Sequence, residues 1–207
     1  MSEAAKQAAG KRAAALVESG MKVGLGTGST AAVMIEELGR RIREEGLKIV
    51  GTPTSMSAER LARAAGIQLV TLDELDELDL AIDGADEIDP DLNLIKGRGA
   101  AHTREKVVAS MARRFVIVAN EEKLVDRLGS KATVPVEVLP MAAHPVAIAL
   151  RKLGAVIELR MGKAKDGPVV TDQGMWILDA AFSGIDGPEE LDRDIKLLPG
   201  VLDHGLF

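Results

Sequence analysis

The sequence predicts an α/β protein: a doubly wound, mostly parallel sheet followed by a second, smaller α+β domain. Three observations carry this. Between positions 22 and 119, short apolar runs that close on glycine or Asp-Gly alternate with Ala-rich or charged helical stretches, the pattern of parallel strands joined by right-handed crossovers. From about Lys131 the texture changes to two strand, helix, strand units linked by hairpin turns, which fits a ferredoxin-like α+β unit. A chain of 207 residues with 46% hydrophobic content also has enough apolar side chain for such cores. The expected division is a catalytic domain over 1–130, rejoined by 201–207, and a small domain over 131–200.

In chain order, residues 1–20 read as an amphipathic, Ala-rich helix stopped by Gly20. Its mixed charge and lack of a long apolar core exclude a secretion signal as the reading. Lys22 to Leu25 is a strand feeding the turn Gly26 to Thr30 (GTGST), and a helix then runs to about Glu45. A second strand at Lys48 to Val50 leads to Gly51 to Ser57, again placing hydroxyls before a helix, Ala58 to Ala65. Strands follow at Gln68 to Leu72 and Leu78 to Ile82, separated by an acidic connector that reads as solvated surface. A helix is expected from about Ala100 to Arg113, and Phe115 to Ala119 (FVIVA) has the β-branched content of a central buried strand. A helical turn carrying Lys123 ends this half. In the second half, strands are expected in VPVEVL, AVIELR and VVTDQGMWILDAAF, with helices at His144 to Leu153 and in PEELDRDIKLLPG. Nothing there reads as catalytic, so packing or oligomerisation is its expected role.

Composition removes several classes of function. A net charge of -6 with one Trp, three Phe and no Tyr argues against nucleic acid, which needs basic surface and stacking rings. With no cysteine there is no disulfide, thiol nucleophile or Cys-ligated zinc, and His102, His144 and His204 lack ligand-like spacing. No stretch reaches the roughly 20 apolar residues of a membrane span, so a cytoplasmic protein with no membrane partner is expected.

The chemistry concentrates between Leu78 and Lys106. An apolar run ends at Asp83, and Asp83 and Asp86 flank the small turn Gly84-Ala85, the place where open α/β sheets bind ligands. Lys96, Gly97, Arg98 and Gly99 then offer a cation and accessible backbone N–H groups just before a helix, an anion cradle, and Glu105 follows in that helix. The turn Thr27, Gly28, Ser29, Thr30 matches neither the dinucleotide nor the P-loop pattern. It fits a smaller phosphate or carboxylate held by helix N–H groups and hydroxyls, or simply a capped helix.

Taken together, GTGST at 26–30, DGADEID at 83–89 and KGRGAAHTREK at 96–106 resemble ribose-5-phosphate isomerase of the A type. The likeness extends through FVIVANEEK, VPVEVLPMA, TDQGMWILD and LPGVLDHGLF, essentially the whole chain. The resemblance implies a Rossmann-like domain with a small α+β domain, in homodimers or homotetramers. It also implies interconversion of D-ribose 5-phosphate and D-ribulose 5-phosphate in the pentose phosphate pathway, with no cofactor and no metal. Carried over by position, Glu105 is the base, Asp83, Asp86 and Lys96 are the other catalytic groups, and the sugar phosphate is bound by Thr27 to Thr30, Asp83 to Asp86, Lys96 to Gly99 and Lys123. The family usually has glycine at position 98 and leucine at 102, reads TDNGN where this chain has TDQGM, and continues beyond GLF with one more strand. Other readings stay open from the residues alone: Asp83, Asp86 and Glu87 as a magnesium site, a non-catalytic sugar-phosphate sensor, or a related sugar-phosphate isomerase or deaminase.

Overall fold

The computed structural model describes residues 3–207. They form two compact units, one running through Gly84 and including Arg104–Glu122, the other comprising Ala85–Thr103 and Lys123–Phe207.

The first unit is built from α1 (Glu3–Ala14), β1 (Lys22–Leu25), α2 (Ser29–Glu45), β2 (Val50–Pro53), α3 (Met56–Ala64), β3 (Gln68–Leu69), β4 (Leu80–Asp83) and β7 (Phe115–Ile117), together with most of α4 (His102–Ser110). Its sheet is parallel throughout, in the order β3-β2-β1-β4-β7, the doubly wound arrangement that the alternation of strand and helix predicts. Period-two alternation along the strands assigns each residue to a face. Val23 and Leu25 of β1 and Leu80 and Ile82 of β4 enter one core with Met34, Ile35 and Leu38 of α2 and Ala58 and Ala62 of α3. Between them, Gly24 and Ala81 turn to the opposite face, where Val108 of α4 lies against them.

FVIVA is not a central strand. β7 pairs only with β4, stands at the edge of the five strands, and is half-buried along its length. Composition alone does not separate edge from centre, because β-branched residues suit either. The helix expected from Ala100 begins instead at His102, since Ala100 has φ +59 and cannot be helical. That puts Glu105 in the first turn.

The second unit holds a hairpin, β5 (Glu87–Ile88) with β6 (Leu94–Ile95), and a βαββαβ run: β8 (Val134–Val138), α5 (Ala143–Lys152), β9 (Val156–Leu159), β10 (Trp176–Ala181), α6 (Pro188–Lys196) and β11 (Val201–His204). The four strands are antiparallel in the order β11-β8-β10-β9, the ferredoxin-like order. Val134, Val136 and Val138 pack with Val146 and Leu150 of α5 and Ile195 of α6.

The division differs from a boundary at 130 in two respects. β11 pairs with β8, so residues 201–204 belong to the small sheet and not to the larger one. Residues 85–103 also fall in the second unit, and the hydrogen bonds say why. Glu87 is 0% exposed, and its carboxylate accepts N–H groups from Gly129 (2.6 Å), Ala132 (2.6 Å) and Lys131. Leu94 and Phe207 exchange backbone bonds of 2.8 and 3.0 Å, and Lys96 N–H donates to Gly205 (2.8 Å). A loop that departs from the larger sheet in sequence is thus stitched to segments, 129–132 and 205–207, that are made much later in the chain.

Two substitutions test these cores. Gly39 lies in α2, where alanine would ordinarily add about 1 kcal/mol of helix propensity. A methyl group there would lie 2.7 Å from the Ala65 carbonyl oxygen, and such overlap costs about 1–3 kcal/mol. Gly39→Ala is therefore expected to lower the urea midpoint, and a raised midpoint would contradict the packing. Glu87→Gln keeps the shape but replaces one acceptor oxygen with a donor facing another N–H. It is expected to cost about 1–3 kcal/mol in urea unfolding while turnover per folded molecule is unchanged.

Candidate active site

In the first unit, the strand ends of β1 and β4 set the geometry. Gly26 donates to the Ile82 carbonyl (2.9 Å), and this approach is open only to glycine, since a Cβ there would lie 2.4 Å from Asp83 Oδ1. Asp83, 3% exposed, accepts N–H groups from Thr27 (3.0 Å) and Gly84 (2.8 Å) on that same oxygen. One buried carboxylate therefore fixes the start of the GTGST turn. Thr27 Oγ1 adds a second tie, 2.8 Å from Thr54 Oγ1 and 2.7 Å from Ser55 Oγ.

The two hydroxyl-bearing turns differ in a way their sequences do not reveal. Ser55 accepts the Ala58 N–H (3.0 Å) and so caps α3 with its own side chain. At α2 the N-cap is Gly28, φ +121, which has no side chain to offer the first-turn N–H groups. Gly28 and Ser29 are exposed and Thr30 is buried. The α2 turn can present backbone donors and the Ser29 hydroxyl to an anion, with the helix dipole behind them. The α3 turn satisfies its own donors and braces Thr27. Glu105, in the first turn of α4, is 4% exposed.

In the second unit, Lys96 follows β6 and is 2% exposed, with Nζ 5.4 Å from the centre of the Phe207 ring. Ring and ammonium at that separation attract one another, which steadies a buried cation. The following turn is held from two sides. Asp86 Oδ2 accepts the Arg98 N–H (3.0 Å). Arg160 Nη1 donates to the carbonyls of Gly97 (3.3 Å) and Arg98 (3.1 Å), while its Nε donates to Asp179 (2.7 Å). Gly97 takes φ +95, a conformation that glycine adopts without penalty. Arg98 and Gly99 are exposed, Gly84, Ala85 and Asp86 are half-buried, and Lys123, half-buried, closes the 3₁₀ turn Glu121–Lys123.

The structure thus groups Thr27, Gly28, Ser29, Thr30, Asp83, Gly84 and Glu105 in the first unit, and Ala85, Asp86, Lys96, Gly97, Arg98, Gly99 and Lys123 in the second. The unit containing the ferredoxin-like sheet therefore carries half of the expected site. Sequence reasoning missed the residues that hold these loops: Thr54, Ser55, Arg160 and Asp179, and with them Glu137 and Thr171, both buried. The one available signal was an acid or hydroxyl inside an otherwise apolar strand pattern, as in VPVEV. Glu87 is committed to three backbone N–H groups, which speaks against its joining Asp83 and Asp86 around a cation; no cluster of three or more potential metal ligands occurs among the described residues. Nor, among them, is any helix long and apolar enough to cross a membrane.

Known proteins resemble this chain over nearly its whole length. The family model for ribose 5-phosphate isomerase A (phosphoriboisomerase A) matches residues 50–207. A ribose-5-phosphate isomerase A from Thermosynechococcus vestitus is 58% identical over 203 residues, 98% of this chain and 86% of that protein. One from Methanosarcina acetivorans is 57% identical over 202 residues, with the same shares covered. Among solved structures, ribose 5-phosphate isomerase A from Methanocaldococcus jannaschii is 49% identical with a TM-score of 0.96, covering 99% of this chain and 91% of that one. A D-ribose-5-phosphate isomerase in complex with phospho-erythronic acid is 46% identical with a TM-score of 0.97, covering 100% of this chain and 91% of that one. The family model and these relatives show that the chain belongs to the ribose 5-phosphate isomerase A family.

Proposed function

We propose that this protein interconverts D-ribose 5-phosphate and D-ribulose 5-phosphate through an enediolate, with Glu105 as the general base and without a metal ion. The observation that carries the reading is the burial of Glu105 in a chain that matches the family model over residues 50–207. A carboxylate shielded from water is a better base, because it loses the hydration that would otherwise stabilise its charge.

The reaction moves one proton between adjacent carbons. Glu105 takes the proton from C2 of the opened aldose, the C1 carbonyl oxygen becomes an oxyanion, and the same carboxyl returns the proton to C1 as the C2 carbonyl forms. Asp83 assists ring opening and proton traffic among the oxygens, and Asp86 orients the groups around it through its hold on the Arg98 N–H. Lys96 and the N–H groups of the 97–99 turn stabilise the developing oxyanion, which is where preorganised donors lower a barrier most. The phosphate is gripped by the N–H groups and hydroxyls of the 27–30 turn with help from Lys123, and this grip keeps the reacting carbons in place. One neighbouring isomerase is solved in complex with phospho-erythronic acid, which like the substrate proposed here carries a phosphate.

The pentose phosphate pathway and the cytoplasm are the setting that the family resemblance implies, and a homodimer or homotetramer is the implied assembly. Val156 and Leu197, both largely exposed, are apolar surface that such an assembly could cover. Sedimentation showing only monomer at assay concentrations would remove that part of the reading.

A ketose-detecting assay on ribose 5-phosphate, with and without exhaustive EDTA, tests the activity. Rates are expected to be the same in both. Glu105→Gln is expected to lose about 10²–10⁴-fold in turnover while still binding the sugar phosphate, and near-normal turnover would refute the base assignment. Lys96→Ala is expected to lower kcat by about 10²–10³-fold. A change confined to KM would contradict its oxyanion role.

A further inference from the structure

The small sheet contains a carboxylate that the proposed chemistry does not use. Glu137 lies in β8, which has hydrogen-bonded neighbours on both sides, and is 0% exposed. Val136 and Val138 point into the apolar core with α5 and α6, so Glu137 points from the opposite face of the sheet. A buried carboxylate costs several kcal/mol unless its oxygens are well bonded. Here both are. Thr171 Oγ1 donates to Oε1, with Gln173 Nε2 a further 3.5 Å contact, and Thr103 Oγ1 donates to Oε2, with His102 Nε2 3.9 Å away.

What these bonds hold is the start of α4. Thr103 is the second residue of that helix, and Glu105 follows two positions later. At roughly 100° per residue their side chains leave the helix on nearly opposite sides, so a tie through Thr103 fixes the rotation of the first turn without occupying the carboxylate of Glu105. His102, also 0% exposed, backs the preceding turn: a Cβ on Gly97 would lie 2.6 Å from its Nδ1. The same carboxylate therefore borders the bracing of the 97–99 turn as well as the helix.

We infer that Glu137 is a positioning residue: through the Thr103 hydroxyl it sets the placement of the first turn of α4, and hence of the Glu105 carboxyl group. The inference rests on the reading of Glu105 as the base. Placement errors of about 1 Å can cost on the order of 100-fold in rate, which sets the size of effect to expect.

The decisive variants are at Thr103, where the hydroxyl can be removed or restored without disturbing the buried acid. Thr103→Val keeps the shape and removes the donor. It is expected to lower kcat by about 10- to 100-fold with KM changed by less than about threefold, at an unchanged fraction folded by circular dichroism. Thr103→Ser returns the donor and is expected to recover kcat to within about threefold of the parent. In a Glu105→Gln background, Thr103→Val is expected to produce no further loss, because the tie has nothing left to position. The inference is overturned if Thr103→Val alone retains parental kcat, if serine fails to restore the rate, or if Thr103→Val lowers the residual rate of the Glu105→Gln protein by its full factor. Glu137→Gln, which supplies one acceptor where two are needed, should follow Thr103→Val if it folds; if it does not, the Thr103 series decides the question. Parental turnover in Glu105→Gln alone is a different result, since it removes the base assignment whatever the Thr103 variants do.

Discussion

The constraint on which the rest of this structure depends is the burial of charge in a chain with few aromatic residues and no cysteine. Asp83, Glu87, Lys96, Glu105 and Glu137 are each less than 5% exposed. Each such group would destabilise the fold if left in an apolar setting, so the backbone is arranged around them. Asp83 takes two N–H groups and Glu87 takes three, Lys96 sits over an aromatic ring, and Glu137 takes two hydroxyls. Loops that would otherwise be mobile acquire fixed shapes because a charge inside them has to be satisfied.

Two uses of the same chemistry can be separated. At Glu87 every donor is backbone and comes from the 129–132 segment, so the carboxylate replaces a piece of secondary structure and most of its acceptor capacity is committed to the chain itself. At the α2 turn the relation is inverted: the donors are backbone, and the N-cap glycine brings no acceptor to them. The α3 turn, with its serine cap, shows what the same local sequence does when the demand is met internally. The proposed anion site and a closed helix end thus lie about 25 residues apart and differ in whether a hydroxyl oxygen reaches back to the first turn.

Much of this was legible beforehand. Alternating strands and helices gave the parallel sheet, the change of texture near Lys131 gave the second fold type, DGADEID and KGRGAAHTREK marked the loops that carry buried charge, and GTGST marked the turn that one of those charges holds. Three things were not legible. The edge position of β7 is a matter of pairing, which composition does not encode. The ownership of residues 85–103 depends on Glu87 meeting N–H groups more than 40 positions away. The supporting roles of Arg160, Asp179, Glu137 and Thr171 arise from contacts across strands, and their one local trace is a polar residue in an apolar run.

The chain passes from one unit to the other at 84/85, 103/104 and 122/123, so neither unit is a continuous stretch of sequence. During synthesis the segment 85–103 leaves the ribosome before the residues that will neutralise its buried groups exist. The Glu87 carboxylate must stay hydrated until 129–132 emerges. Completion of the second unit therefore waits on residues made well after the segment they stabilise, and exchange of either half between relatives by a single crossover would separate charges from the partners that make their burial tolerable.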